Sequence, residues 1–448
     1  MLTITEAEAR AAALVERAAR AGADASDALY SANASTSVQV RLGELEDVAR
    51  SEAESVSLRF FVGSRSASVS SSDLSDDALT ALVERAAAMA REAPEDPWSG
   101  LAPEDRLMRE QGPDLDSDDG GDPAPLELKR RSLEIEEAGR SVAGVTNSEG
   151  AGMSAGRSLF ALATSHGFCR GYSASGYSSS ASLIAGEGSE MQRDYSYHSV
   201  RHYAELDDPE TLGRRAGERA VARLRPAKLP SGTMPVLFDP RVGNTLLGHL
   251  LSAIGGPSIT RRTSFLLDKE GERLFGEEVT IRDDPHRPRG LRSKPFDGEG
   301  LPTRPTDIID SGRLTGWLLD SASARQLGRA PTGHAVRSSG GAPGVGSTNV
   351  HMEPGRLTAE QLIGEVERGV YVTQLIGQGV NPVTGDYSRG AVGFIIEQGG
   401  LGPPVAEITI AGNLLDMFAR LVPADDLQFR YTANVPTLRI DGMTVAGA

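Results

Sequence analysis

Hydrophobic and polar positions change period several times along the chain, and each change marks a predicted element. From residue 4 to 22, Ala and Leu recur at helical spacing behind Thr5, a suitable cap, and Gly22 ends the run. Between Asp27 and Ser71 the pattern becomes alternation, in SVQVRLGELEDVARS and SVSLRFFVGSRSASVS, with Gly43 and Gly63 at turn positions. Antiparallel strands are expected there. Ser75 then opens a helix whose apolar stripe passes through Leu79, Leu82, Ala86 and Met89. Residues 94–125 are rich in Pro, Gly and Asp without a sustained period, the pattern of a surface connection. A charged helix follows from Leu126 to Ala138, and long alternating segments then reach Leu206. Their small, Ser-rich and Tyr-rich makeup predicts a large meandering sheet with one solvated face. Another helix covers Pro209 to Leu224.

The Pro-punctuated stretch RPAKLPSG, 225–232, divides the chain into residues 1–228 and 229–448, since this length exceeds one ordinary core. The second part opens with the apolar strand MPVLFDP and the helical RVGNTLLGHLLSAIGG. It then becomes Gly-rich and strand-rich, with helices only around Ser321–Leu327 and Thr358–Val366. The expected fold class is α+β: an N-terminal α/β domain with a large antiparallel sheet, and a C-terminal, mainly-β domain of barrel-like or sandwich form.

Charge narrows the partners. With 46 basic against 62 acidic residues the net charge is -16, which opposes binding to a phosphate backbone, so nucleic acid is not expected. The single cysteine, Cys169, permits no internal disulfide and no multi-thiolate metal site, as in a reducing compartment. The N-terminal stretch has no basic segment leading into an apolar one, and no apolar run approaches the ~20 residues of a membrane helix. A cytoplasmic protein without membrane contact is the expectation.

Most chemical motifs fail on spacing. DLDSDDG suggests a calcium loop, but counting from Asp114 the sixth position is Asp119 instead of Gly and the twelfth is Pro125 instead of Glu. His198 and His202 in HSVRH lie on a predicted strand, which separates them by about 13 Å, too far for one zinc ion. His249 stands alone in an apolar helix, either a partly buried histidine or a ligand contact. No G-x-S-x-G nucleophile elbow occurs, and GYSASG at 171–176 is misspaced for one. Cys169 has the flanks of a strand interior, and GGAPGVGS at 340–347 reads as a turn-forming loop. Two dense polar stretches remain. Leu291–His334 crowds Arg292, Asp297, Glu299, Arg304, Asp307, Asp320 and Arg325 among glycines, which suits a recognition surface. Residues 377–399 gather Asn381, Thr384, Asp386, Ser388 and Arg389 around Pro382 and Gly385, either as self-satisfied turns or as a peptide-binding rim.

KPFDGEGLPT, IIDSGRLTGWLLDSASARQLG, PTGHA, NPVTGDYSRGAVGFIIEQG and EITIAGNLLDMF occur in that order, and together they resemble the PmbA branch, also called TldE, of the TldD/PmbA family. The likeness runs over most of the chain and is stronger from about Pro235 onward. It implies one subunit of a cytosolic two-subunit metallopeptidase that acts on extended or unstructured peptides, leader peptides or an antitoxin among them. The TldD-type partner would carry an HExxxH helix and the zinc. Laying TRRTSF, 260–265, on the similar stretch of the TldD branch puts that helix over LGHLLS, with Leu247 and Ser252 at the histidine positions and Gly248 at the glutamate. The cysteine ligand near the C-terminus of the TldD branch has no counterpart.

The resemblance therefore implies no cofactor in this chain and a role as a non-catalytic partner that shapes the substrate cavity. Expected contacts with substrate or partner are Arg292, Phe296, Asp297, Glu299, Arg325, Asn381, Asp386 and Arg389, with His249 beside them. A structural alternative for Asp297 and Arg325 is an ion pair with each other. In isolation a homodimer is an open possibility. Two other readings stand: an autonomous metallopeptidase with a metal assembled from His198, His202 and His334, and a peptide-binding adaptor.

Overall fold

A computed structural model describes residues 1–337 and 341–447. The chain begins with helix α1, Ile4–Arg20, capped by Thr3 and not by Thr5: the Thr3 hydroxyl accepts the Glu6 N–H while Glu6 reaches back to the cap, a reciprocal box. Strands β1, Ala25–Arg41, β2, Glu44–Val62, and β3, Arg65–Ser71, follow, with Gly43 and Gly63 at positive φ in the turns. Helix α2, Asp76–Glu92, is capped by Ser75. Residues 93–124 form the long connection to α3, Pro125–Arg140. Then come β4, Val145–Thr164, β5, Cys169–Ala185, β6, Gln192–Val200, and α4, Pro209–Ala222.

These six strands pair antiparallel in the order β3-β2-β1-β4-β5-β6. All four helices lie on one face. Ala28, Tyr30 and Ala32 of β1, with Leu159, Ala161 and Ala163 of β4, pack under α1 and α2. Val38, Val40, Ala151, Met153 and Ala155, which share their parity along the same strands, pack under α3 and α4. The other face carries Ser31, Asn33, Ser158, Phe160 and Tyr172, and it is this face that meets the second half of the chain.

The second half opens with β7, Gly232–Phe238, α5, Pro240–Ala253, and the short α6, Gly256–Thr260. Strands β8, Ile281–Asp283, β9, Thr306–Asp310, and β10, Arg313–Leu314, precede α7, Ser321–Gln326. Then follow β11, Ala335–Val336, β12, Gly344–Val345, β13, Val350–Met352, α8, Ala359–Gly364, β14, Arg368–Ile376, β15, Asp386–Glu397, and β16, Gly400–Asn413. The chain ends with α9, Leu414–Ala419, β17, Leu421–Pro423, β18, Ala433–Asn434, and β19, Leu438–Ala446. Strands β16-β15-β14-β7-β19 form a sheet that closes on itself through a β16–β19 pairing, giving a five-stranded barrel. A second, small sheet runs β10-β9-β8-β13-β18.

The α+β class is that expected, and the barrel is the form the C-terminal part takes. Helices α6 and α9 add to the two expected after α5. Gly340, the first residue of the glycine-rich stretch, lies outside the described residues; farther along it, Gly344–Val345 pairs with Ala335–Val336. Helix α5 sets Val242, Leu246, Leu247, Leu250 and Ala253 into the barrel core, an i, i+4 stripe that leaves Gly248 and Ser252 exposed.

Candidate functional site

The open face of the first sheet and the loop 291–294 enclose a cavity of about 1040 Å³. Its floor is Ser31–Asn33, Ala53–Ser55 and Ser158–Phe160; its wall is Arg201, Leu291–Lys294, Val336 and Val345–Ser347. Arg292 is exposed here. Arg201 and Lys294 join it, and sequence reasoning missed both. Arg201 is positioned by donating to the carbonyls of Ser175, at 2.8 Å, and Leu291. Lys294 donates to the Ala335 carbonyl at 3.2 Å, and burial holds its ammonium below the usual range against the opposing pull of Asp297 and Asp283. The signal for Lys294 was present: it is the first residue of KPFDGEG. A second cavity, about 620 Å³, adjoins across Tyr172 and Ser293 and is roofed by residues 111–118 of the long connection.

Phe296, Asp297 and Glu299 stand behind this wall and are buried. Phe296 packs edge-on to Phe168 and Tyr172, centroids 5.0 and 5.4 Å away, and joins the two halves of the chain. Asp297 accepts backbone N–H groups from Glu299, Leu301 and Ala335 at 2.9, 3.0 and 3.1 Å. Burial still raises its pKa above the carboxylate norm. Glu299 accepts both the backbone N–H and the hydroxyl of Ser321, at 2.8 and 2.7 Å, and so holds the start of α7. Burial first, and the neighbouring Asp297 second, push Glu299 up to about 7. The expected recognition surface is here an internal polar joint.

No Asp297–Arg325 ion pair forms. Arg325 instead donates to the carbonyls of Trp98, at 2.5 Å, and Leu101, fastening the long connection to α7. Asp114–Asp119 are likewise occupied by their own chain: Asp116 with Arg289 at 2.6 Å, Asp118 with Arg157 at 2.7 Å, and Asp119 accepting the Tyr177 hydroxyl at 2.6 Å.

Asn381 and Asp386 sit on an exposed turn that satisfies itself. Asn381 Oδ1 accepts the Val383 N–H at 2.9 Å, and Asp386 accepts from Thr384 and Asn413 at 2.6 and 3.2 Å. His249 of α5 faces Tyr387 of β15, their rings edge-on with centroids 6.1 Å apart, and Arg389 follows on the same strand. Tyr387 lies inside NPVTGDYSRGAVGFIIEQG, where a lone aromatic among polar turn residues carries no signal of its own.

The positions over LGHLLS do not fit a metal. Leu247 is 2% exposed in the barrel core, and neither Gly248 nor Ser252 offers an imidazole or carboxylate. His198 is 3.0 Å from Asp207, His202 is 2.9 Å from the Asp116 carbonyl, and His334 is 2.8 Å from the Thr332 hydroxyl, so each is separately engaged. Cys169 opens β5, exposed instead of interior, with its Sγ 3.4 Å from the Glu8 carbonyl. Among the described residues, no three His, Cys, Asp or Glu side chains gather around a common point. Nor is any helix long and apolar enough to cross a membrane.

Known proteins resemble this chain over nearly its whole length. Family models described as PmbA/TldA metallopeptidase domain 1, central domain and C-terminal domain match residues 26–90, 118–224 and 231–447. The chain is 37% identical to the metalloprotease PmbA of Escherichia coli O157:H7, over 95% of this chain and 92% of that one. It is 36% identical to the metalloprotease PmbA homolog of Haemophilus influenzae, over 97% and 94%. Among solved structures, a proposed DNA gyrase modulator from Bacteroides thetaiotaomicron matches with a TM-score of 0.92 at 27% identity, covering 100% of both chains. TldE from Thermococcus kodakarensis matches with a TM-score of 0.87 at 21% identity, covering 97% and 99%, and this likeness concerns the fold.

Proposed function

The chain belongs to the PmbA/TldD metallopeptidase family, in its PmbA/TldE branch, and from that premise we propose that it is the non-catalytic subunit of a two-subunit peptidase. One observation carries the reading. Helix α5 places Leu247 in the core and Gly248 and Ser252 on the surface, where the related TldD branch is expected to place two metal ligands and a general base. At those three positions nothing can hold a metal-activated water, and His249, the one imidazole of the helix, has no second ligand gathered with it among the described residues, so the bond-breaking chemistry falls to a TldD-type partner that brings its own zinc.

The part left to this chain is to receive an extended peptide. The roughly 1040 Å³ cavity presents Ser31, Asn33 and Ser158 on its floor and Arg201, Arg292 and Lys294 on its wall, with Phe160 and Tyr172 beside them. Hydroxyls and cations serve peptide carbonyls and acidic side chains, and the two rings offer apolar contact. Metal analysis of the purified chain tests the assignment. The expected zinc content is far below one per chain; tight stoichiometric zinc in the lone chain would contradict it.

A further inference from the structure

At one end of the barrel, two buried polar atoms have no hydrogen-bond partner among the described residues: Nε2 of His249 and the hydroxyl of Tyr387. Their rings touch, and Tyr387 is 1% exposed. Leaving such groups unpaired is costly, so their retention calls for an occupant. Arg389 lies two residues beyond Tyr387 on β15 and therefore on the same face of the strand. It is 8% exposed, and among the described residues its guanidinium makes one hydrogen bond, from Nε to the Ile376 carbonyl at 3.4 Å.

Among the described residues no carboxylate pairs with this guanidinium. Burial first, and the Arg389 cation second, hold the His249 pKa below its ordinary value. Asp386, close by in sequence, is exposed and engaged with Thr384 and Asn413. The cluster thus assembles a guanidinium, a phenol and an imidazole with no carboxylate bonded to them among the described residues. Beside it the surface is open: a Cβ built on Gly248 meets nothing within 4 Å, and Ile376 is 54% exposed.

We propose that Arg389, His249 and Tyr387 form a receptor for a carboxylate carried by a peptide. A guanidinium fork matches two carboxylate oxygens, and the phenol O–H and an imidazole N–H are further donors of the kind a carboxylate accepts. Either a C-terminal carboxylate or an acidic side chain provides this chemistry. The inference rests on the peptide-binding reading above only for the source of the carboxylate; the site itself is testable without it.

The experiment is calorimetric titration of the full chain with four ligands: propionate, an unstructured peptide with a free C-terminus and no acidic residue, its C-terminal amide, and the amide carrying one internal Glu. The site predicts that a carboxylate-bearing peptide binds about tenfold more tightly than the plain amide, and that propionate competes with it. A preference for the free acid identifies the C-terminus, and one for the internal Glu identifies a side chain. Propionate binding without peptide binding keeps the site and removes the peptide as its ligand. Arg389→Gln and Tyr387→Phe should each abolish the preference. Tyr387→Phe removes a hydroxyl that has no partner, so its melting temperature should stay level or rise, and lost binding in that variant is not lost folding. Equal affinity for all three peptides overturns the carboxylate site while peptide binding stands. No binding of any ligand, the result expected if a buried water alone satisfies the two atoms, also overturns it. The subunit reading is then judged separately, by peptidase assay with a partner.

Discussion

Glu299 and Phe296 show how a single residue's surroundings decide its part. The Glu299 carboxyl is raised by burial and by Asp297 from 4.5 to about 7, so the folded state holds its proton more tightly than the unfolded chain does. Its contribution is therefore full below about pH 4.5 and is lost as pH rises through about 7. Glu299→Gln keeps an acceptor for Ser321 without the charge. Thermal unfolding should show the variant stabilised over the parent by roughly 1–3 kcal/mol at pH 8 and level with it at pH 5; a constant difference across pH would contradict this. Phe296→Ala empties the aromatic joint against Phe168 and Tyr172 and should cost about 3–5 kcal/mol in denaturant unfolding. Charge density in DGEG reads as surface because sequence counts polar side chains and not the backbone N–H groups that hold them. Three such groups receive Asp297 inside the fold.

At the scale of elements, sequence legibility follows the range of the forces involved. Helices α2, α4 and α5 carry local signals, caps at Ser75, Asp208 and Asp239 and regular apolar stripes, and they stand where the pattern put them. Barrel closure does not show in the sequence, because it depends on β16 meeting β19, a pairing that spans the intervening α9, β17 and β18. Arg325 illustrates the same limit. Its partners are carbonyls more than two hundred residues away, and a carbonyl has no sequence signature. Because those bonds tie the connection 93–124 to α7, Arg325→Ala should speed amide exchange across that connection. The local loss is about 1.5–3 kcal/mol, and exchange in the barrel strands should be unaffected. Uniform acceleration everywhere would mean that the residue supports the whole fold instead.

Across the whole molecule, buried ion pairs tie the first sheet to the second half of the chain. Asp27 of β1 receives Arg59, at 2.8 Å through Nε, and Arg337 from the second half, at 2.6 Å. Burial opposes its ionisation, but the two cations together win and lower it to about 2. Its stabilising contribution is present above the ordinary value of 3.8 and is lost as pH falls toward 2. Asp194 of β6 makes a second clamp, 2.9 Å from Arg223 and 2.8 Å from Arg241. Asp27→Ala strands two buried guanidinium groups and should cost about 3–5 kcal/mol, read by denaturant unfolding near neutral pH. The Asp27 clamp holds Arg337, next in sequence to Val336 in the wall of the cavity proposed to receive peptide. Peptidase activity on an unstructured substrate tests that account most directly, measured for this chain alone, a TldD-type subunit alone, and the two mixed. Hydrolysis in the mixture, with none from this chain by itself, is the predicted result. Zinc-dependent hydrolysis by this chain alone would contradict it.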